Sequence, residues 1–259
     1  MKKLSVYLQY LFEYLKFGDI ISVISSVKYL SNRTSHKNDR IIKTSIGTFF
    51  CRKNTNDFQF ANLMYEWSVK EFLYKRLGEF TVFIDGGACV GDYSILFSKL
   101  NLRCIAFEPI ADNYRVMVKN LELNGLIDKV KTYRYGLGDS NRQARFIFNP
   151  VNTGASRIDR NNQPDSCLAE IRTFDSLVGE LDITLDDKIL VKLDAEGMEP
   201  EVLRGSGAFI RNYPNISFVI EDKHSGQEEI KSILDSFAVF EYGEVDNYNM
   251  FARKTGSLI

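Results

Sequence analysis

Four acidic residues each follow directly after a predicted β-strand: Asp85, Glu108, Asp194 and Glu221. Ligands of open α/β sheets bind outside the carboxyl ends of the strands, so these side chains are expected on one rim. A cluster of acids needs a cation, a metal ion or several hydrogen-bond donors to offset its charge. The pattern therefore predicts a site for a positively charged or hydroxyl-rich ligand.

Glycines beside Asp85 indicate a tight turn between a strand and a helix. Gly87 and Gly91 do not follow the G-x-G-x-x-G order of dinucleotide-binding turns. An acid inside the turn repels a phosphate but favours an amino group or a sulfonium. Glu108, at the end of the second strand, is the expected acceptor for two ribose hydroxyls. The alternative is that both acids serve only as helix N-caps.

The elements that position these residues alternate regularly from residue 81 onward. Predicted strands lie at 81–84, 104–107, 130–135, 189–193, 216–220, 239–242 and 248–252, and predicted helices at 92–100, 112–124, 199–212 and 227–237. Such alternation specifies a mostly parallel sheet with helices on both faces. The last two strands are too close for a crossover helix, so they form an antiparallel hairpin. The expected fold is α/β, with a seven-stranded, mostly parallel sheet that ends in this hairpin.

An N-terminal extension, residues 1–57, is expected ahead of a main domain at 58–259. It comprises helices at 4–17 and 20–30, a polar loop and a hairpin at 41–45 and 48–52, and a helix at 58–77 follows it. Residues 1–53 carry ten Lys/Arg and three Asp/Glu, a net +7 (10 − 3), whereas the whole chain carries −1. The helices are interpreted as a cap on the main domain or a second subunit, or alternatively as an interfacial membrane contact.

Composition excludes several classes of protein. The chain has 259 residues, 44% of them hydrophobic, which is enough for a full core. Four scattered cysteines without a CxxC pair oppose a zinc site or a disulfide scaffold. No stretch is suited to spanning a bilayer, and the first apolar run is interrupted by charges, unlike a signal peptide. We expect a cytoplasmic protein, compatible with peripheral membrane contact and homo-oligomerisation, and no nucleic-acid partner.

Four segments together resemble the FkbM-type family of S-adenosylmethionine-dependent methyltransferases. They are Ile84-Asp-Gly-Gly-Ala-Cys-Val-Gly91, Ala106-Phe-Glu-Pro109, Lys119-Asn-Leu-Glu-Leu-Asn124 and, most distinctively, Val191-Lys-Leu-Asp-Ala-Glu-Gly-Met-Glu-Pro-Glu-Val-Leu203. The resemblance implies a class I methyltransferase (Rossmann-like) fold, S-adenosylmethionine as methyl donor, and O-methylation of sugars, glycans or natural products. The chain departs from the family at Gly86, where Val is usual, and at Cys89, where Asn is usual.

The resemblance also implies a set of cofactor-binding residues. The methionine end is assigned to the glycine turn, namely Asp85, Gly87, Ala88 and Gly91. Glu108 would hold the ribose, and Asp194 would stand near the sulfonium. Gly138 and Asp139, after the third strand, would approach the adenine.

Methyl transfer to a hydroxyl needs a general base or a metal ion, because a sugar hydroxyl is a poor nucleophile at neutral pH. His224, three residues past Glu221, is the first candidate for the base, and Glu196 is the second, beside Asp194. An alternative role for Glu196 is to stabilise the N-terminus of the following helix. Mg²⁺ held by Asp194, Glu221 and Asp222 is chemically reasonable, but the spacing does not require it.

Residues 139–175 interrupt the alternation of strands and helices. An extra strand is predicted at 144–148, and a polar run at 149–163 is interpreted as a lid over the substrate. Ser156 and Arg157 in this run, together with Glu221, would meet an oxygen-rich or anionic acceptor; the alternative for the first two is simple solvation. His36, in the polar N-terminal loop, is expected to be solvated.

Other functions predict different behaviour. An RNA methyltransferase that uses the basic N-terminal segment would bind RNA in a salt-sensitive way. A non-catalytic S-adenosylmethionine-binding protein would bind the cofactor without turnover. The glycine spacing disfavours NAD-dependent oxidoreduction, and the sequence from Asp194 to Gly197 lacks the Pro-Pro turn typical of amino-group methyltransferases. The sequence favours an O-methyltransferase with a small-molecule or glycan acceptor.

Overall fold

A computed structural model describes residues 2–258 with the exception of 160, 162, 164 and 165. The helices are α1 (Lys2–Leu15), α2 (Ile20–Asn32), α3 (Asp57–Phe60), α4 (Trp67–Tyr74), α5 (Asp92–Lys99), α6 (Ala111–Leu123), α7 (Phe174–Leu177), α8 (Glu199–Arg204), α9 (Gly207–Asn212) and α10 (Gln227–Asp235). The strands are β1 (Arg40–Lys43), β2 (Thr48–Cys51), β3 (Val82–Gly86), β4 (Arg103–Phe107), β5 (Val130–Tyr133), β6 (Tyr135–Leu137), β7 (Arg142–Ile147), β8 (Arg157–Ile158), β9 (Cys167–Arg172), β10 (Ile189–Leu193), β11 (Ile216–Glu221), β12 (Ala238–Glu244) and β13 (Asn249–Ser257).

The main sheet has seven strands in the order β12-β13-β11-β10-β3-β4-β5. Strands β11, β10, β3, β4 and β5 are parallel, and β13 runs antiparallel to both β11 and β12. The two central strands, β3 and β10, are buried along their whole length, since helices cover both faces. The predicted α/β class, the seven-stranded sheet and the C-terminal hairpin are confirmed.

Two predicted helices are interrupted in the structure. The helix expected at 58–77 is replaced by α3 and α4, because the Asn62 side chain accepts the Met64 N–H and Glu66 adopts a left-handed φ of 50°. The helix expected at 199–212 is divided into α8 and α9 at Gly205, where a Cβ would lie 2.0 Å from the Gly138 carbonyl oxygen. The break between the two helices thus follows from a close contact between two backbone segments, which the helical periodicity of the sequence does not reveal.

The insertion after the third strand forms a second sheet of four strands, ordered β6-β9-β7-β8. The strand predicted at 130–135 divides between the two sheets as β5 and β6, and the one predicted at 144–148 appears as β7. Strand β9 was not predicted, although its burial alternates, with Ala169 and Ile171 facing the core. The period-two pattern at 167–172 was the signal that could have revealed it.

The N-terminal segment packs directly on the main sheet and its helices. Tyr14 and Phe49 are fully buried in the same apolar cluster as Phe83 of β3. The predicted hairpin is present as β1 and β2, and the Phe50 N–H donates to Asn120 Oδ1 of α6 at 2.7 Å. The domain boundary at 57/58 stays a prediction. Within the described residues, no helix is both long and apolar enough to cross a membrane.

His36 is not solvated, contrary to expectation. Its ring is buried and lies edge-on to Phe58, with 5.9 Å between the ring centroids. Burial lowers the pKa of His36, because desolvation disfavours the charged imidazolium. All four cysteines are free.

Candidate functional site

The register of the main sheet gathers the acidic side chains at one cleft. Asp85 of β3 pairs with Lys192 of β10, and Glu108 follows the last residue of β4. Asp194 follows β10, and Glu221 ends β11. All four predicted acids line the same cleft. The parallel strands therefore bring together side chains that lie up to 136 residues apart (221 − 85).

The glycine turn closes tightly against the end of β10. Gly87 has a φ of 101°, and a Cβ there would lie 2.0 Å from the carbonyl oxygen of Asp194. Only glycine fits, since any side chain would separate the two strand ends. Ala88 also lines the cleft, as predicted, and so does Cys89. Asp85 accepts a hydrogen bond of 2.7 Å from the Ser94 hydroxyl, while burial raises its pKa to about 6.

Glu108 is held rigidly at the cleft wall. It is only 4% exposed, and its two carboxylate oxygens accept the N–H groups of Cys89 and Ile110, both at 2.8 Å. Each oxygen keeps a second lone pair that can accept a further hydrogen bond. Burial raises the pKa of Glu108 to about 7. The carboxylate is thus an oriented acceptor for ligand hydroxyls.

A buried lysine offsets much of the negative charge. Lys192 is 4% exposed and its Nζ lies 2.8 Å from Asp194 Oδ2. Burial alone lowers the pKa of Lys192, but the charges of Asp194, Glu66 and Asp85 outweigh it, so this pKa lies above the ordinary lysine value. The ammonium also lies 4.6 Å from the Tyr93 ring centroid. Lys192 therefore remains charged and holds Asp194 in place.

A second group of titratable side chains lies beside Asp194. Glu196 and Glu221 line the cleft, and Nε2 of His224 lies 3.5 Å from Glu196 Oε2. Burial, followed by the charge of Asp194, raises the pKa of Glu196 to about 7. The same two causes raise the pKa of Glu221, one of whose buried carboxylate oxygens accepts no hydrogen bond from the described residues. Glu196 can therefore exchange a proton near neutral pH.

Of the three ligands expected for a metal ion, Asp194 and Glu221 line the cleft but Asp222 does not. Asp194 pairs with Lys192, and Asp222 is buried outside the cleft, where it accepts the side-chain amide of Gln227 at 2.6 Å. Instead, ligand-type atoms of Glu196, Glu221 and His224 lie within 4.8 Å of one another. Such groups also occur without a metal ion. Metal binding therefore stays a hypothesis, and its candidate ligands are now Glu196, Glu221 and His224.

The insertion forms one wall of the cleft, where the lid was predicted. Residues 152–154 and Ser156 line the cleft. Thr153 is fully buried: its N–H donates to Asn56 Oδ1 and its hydroxyl to Asp57 Oδ1, both at 2.9 Å. Because Asp57 is itself held by a bidentate pair with Arg52, the N-terminal segment anchors this wall. Ser156 directs its hydroxyl back to the Thr153 carbonyl.

Three residues assigned to the cofactor do not line the cleft. Gly91 begins α5 with a φ of 84° and faces Met117, so it shapes the turn from behind. At Gly138 a Cβ would meet the Ile171 side chain at 2.6 Å, away from the cleft, and Asp139 pairs with Arg142 on the surface. The chain crosses into the second sheet at β6, so residues 135–137 line the cleft instead.

Two residues predicted to act in catalysis or in acceptor binding also do not line the cleft. The His224 side chain is 43% exposed and does not line the cleft, although its Nε2 lies 3.5 Å from Glu196 Oε2. Arg157 is exposed, although its charge is one of those that lower the pKa of Glu196. Of the two candidate bases, Glu196 is thus the one that borders the cleft.

Sequence reasoning missed several residues of the cleft. They are Phe60, Tyr65, Glu66, Asn113, Tyr135, Thr153, Lys192 and Lys223. Lys192 could have been recognised, since it is the one charged residue in the apolar strand Ile189–Leu193. Nothing local marks Glu66, which reaches the cleft from the N-terminal side and accepts the Tyr93 hydroxyl at 2.9 Å.

Comparisons with known proteins bear on the family and the fold. The family described as methyltransferase FkbM domain matches residues 85–250. A solved methyltransferase FkbM from Methylobacillus flagellatus KT is similar, with a TM-score of 0.50 and 14% identity over 77% of this chain and 56% of that one. No curated protein matches.

Two further solved structures have lower TM-scores. A tRNA (uracil-54, C5)-methyltransferase from Pyrococcus abyssi, in complex with S-adenosyl-L-homocysteine, gives 0.43 at 12% identity over 84% of this chain and 44% of that one. A SAM-dependent O-methyltransferase from Thermotoga maritima has a TM-score of 0.44 and 14% identity over 85% of this chain and 79% of that one. The chain therefore spans only 56% and 44% of the first two proteins' lengths.

Proposed function

The chain belongs to the methyltransferase FkbM domain family, and on this basis we propose that it transfers a methyl group from S-adenosylmethionine to a hydroxyl of a sugar, glycan or natural product. One observation carries the proposal of O-methylation. Glu196 borders the same cleft as Glu108, and its pKa of about 7 suits a base that takes a proton from a hydroxyl at neutral pH.

The chemistry of the cleft fits the cofactor. Glu108 offers oriented carboxylate oxygens to ribose hydroxyls, and Asp85 and Asp194 offer negative charge to a cationic ligand. Gly87 keeps the turn free of a side chain where the strand ends approach each other. When bound, S-adenosylmethionine supplies a methyl group on a positively charged sulfur.

The residues around Glu196 support its role as base. His224 lies 3.5 Å from the carboxylate and is open to solvent, so it can pass the proton outward. Lys192 holds Asp194 beside the cleft and keeps the number of uncompensated charges low. The wall beside the cleft is held in place at Thr153, which is fully buried and bonded to Asn56 and Asp57.

Polar side chains near the opening suit an oxygen-rich acceptor. Asn152 and Lys223 line the cleft and can bond to acceptor hydroxyls or to an anionic group. Mg²⁺ is not part of the proposal, because the site has a base that can act without it.

Replacement of Glu108 by Ala is expected to weaken binding of S-adenosyl-L-homocysteine at least about 150-fold. Two hydrogen bonds to a charged acceptor are lost, each worth about 1.5–3 kcal/mol. Titration calorimetry measures the affinity, and Glu122→Ala, an exposed glutamate on α6, is the matched control. Unchanged affinity in the Glu108 variant would show that the ribose is bound elsewhere.

The acceptor class is tested by incubating the protein with S-adenosylmethionine and a panel of hydroxylated sugars, glycans and natural products. We expect release of S-adenosyl-L-homocysteine with at least one of them, and loss of this activity in Glu108→Ala. The panel includes bulk RNA. A methylated RNA product would favour the alternative enzyme, and cofactor binding without any turnover would favour a non-catalytic role.

A further inference from the structure

Helix α2 has its polarity inverted relative to a surface helix of a globular protein. Its buried residues are Ser22, Ser25, Ser26 and Tyr29. Its large apolar side chains point outward instead, with 48–61% of each exposed: Ile20, Ile21, Ile24, Val27 and Leu30. A surface helix normally buries its apolar stripe and exposes its polar one. The outer face of α2 is therefore built to meet an apolar environment beyond this chain.

Helix α1 also exposes large apolar side chains. Leu8, Phe12 and Leu15 are 60%, 64% and 51% exposed, and their spacing of four and three residues places them on one stripe. Helices α1 and α2 contact each other. We call the exposed apolar side chains of the two helices the apolar face. Many large apolar side chains exposed on two neighbouring helices mark an interaction site.

The charges around the apolar face are positive. Lys28, Lys37 and Lys43 are exposed. Two of the three acids of the same segment are engaged internally, since Glu13 accepts the Ser45 N–H, and Asp19 caps α2 and pairs with Arg40; the third, Asp39, is exposed. The exposed charges of the described part of this segment are thus mostly positive, in line with its net charge of +7 (ten basic, three acidic).

A groove at the edge of the apolar face combines both properties. Ile21 and Ile24 line it together with Lys28 and Lys37, and Arg40, paired with Asp19, also borders it. Apolar side chains beside cationic ones match the acyl chains and the phosphate of an anionic phospholipid.

We propose that helices α1 and α2 bind the surface of an anionic lipid bilayer, with the apolar face inserted at the level of the headgroups. A second copy of this chain fits less well, because a symmetric dimer would bring the same positive surfaces together. Membrane binding does not depend on the proposed methyl transfer.

The experiment is flotation of the full chain with vesicles of phosphatidylcholine alone or with phosphatidylglycerol. We expect binding to the anionic vesicles, weakened by salt because exposed charges are screened. The double variant Ile24→Glu/Val27→Glu is expected to bind at least about tenfold more weakly, since two apolar side chains are lost from the inserted face. Leu185→Glu, which alters a leucine that is 59% exposed elsewhere, is the control and should bind as the wild type does.

Charge reversal separates the electrostatic contribution to vesicle binding from the apolar one. Lys28→Glu/Lys37→Glu should lose the preference for anionic vesicles. Absence of flotation with anionic vesicles, or wild-type binding by Ile24→Glu/Val27→Glu, would overturn the proposal. Sedimentation that shows a dimer dissociated by Ile24→Glu/Val27→Glu, without vesicle binding, would assign the face to a second copy. Since every altered side chain is exposed, unchanged thermal unfolding verifies that the variants fold.

Discussion

Replacing Glu196 with Gln is expected to lower kcat by about 10²–10⁴-fold, the usual contribution of a general base. The amide keeps the size of the side chain but cannot accept a proton from the acceptor hydroxyl. Affinity for S-adenosyl-L-homocysteine should stay close to that of the wild type, because Glu108 is unchanged. Steady-state kinetics with a reactive acceptor, together with calorimetry, separate the two effects.

The pH dependence gives an independent test of this role. Burial and the charge of Asp194 raise the pKa of Glu196 to about 7, so its carboxyl is protonated in acid and ionised above neutrality. A base must be ionised, and kcat of the wild type should therefore rise with pH through about 7 and be lost below it. The residual activity of Glu196→Gln should lack this rise.

His224→Gln provides the comparison between the two candidate bases. The His224 side chain is 43% exposed and does not line the cleft, whereas Glu196 does, so loss of His224 should cost less than loss of Glu196. Should Glu196→Gln retain wild-type turnover while His224→Gln loses it, the base is His224.

Lys192→Met is expected to destabilise the fold by about 3 kcal/mol. Loss of one partner of a buried ion pair leaves an uncompensated charge and typically costs about 3–5 kcal/mol. The lower value applies here, because the Asp194 side chain is 27% exposed and water can screen it. Urea unfolding followed by circular dichroism measures the difference in the free energy of unfolding.

A solvent-exposed lysine–aspartate ion pair supplies the control. Lys131 lies 2.7 Å from Asp182, close to the 2.8 Å of the buried pair, but both side chains are open to solvent. Lys131→Met should therefore cost less than about 1 kcal/mol. Equal effects of the two substitutions would mean that Lys192 does not offset the acids of the cleft.

Local patterns in the sequence were enough to predict the sheet and its acidic rim. Strands such as Ile189–Leu193 are continuous apolar runs, and the short link between β12 and β13 permits only an antiparallel hairpin. The acids after these strands could be placed together because parallel strands share one carboxyl edge. Each of these inferences needs only neighbouring residues and general rules of topology.

Local sequence patterns could not predict contacts between distant parts of the chain. Glu66 acts on Lys192 from 126 positions away (192 − 66), and Thr153 is anchored by Asn56 and Asp57. Likewise, the composition of α2 is that of an ordinary apolar helix. Only the packing shows that its serines face inward.

By itself, the sequence determined the α/β fold, the order of its strands along the chain and the acids at their ends, because period, turn length and strand composition are local properties. Only the tertiary structure placed residues 135–137 rather than Gly138 and Asp139 at the cleft, and Glu196 rather than His224 on its wall. The physical reason is that the direction and burial of a side chain depend on the elements packed around it. Those elements come from other parts of the chain.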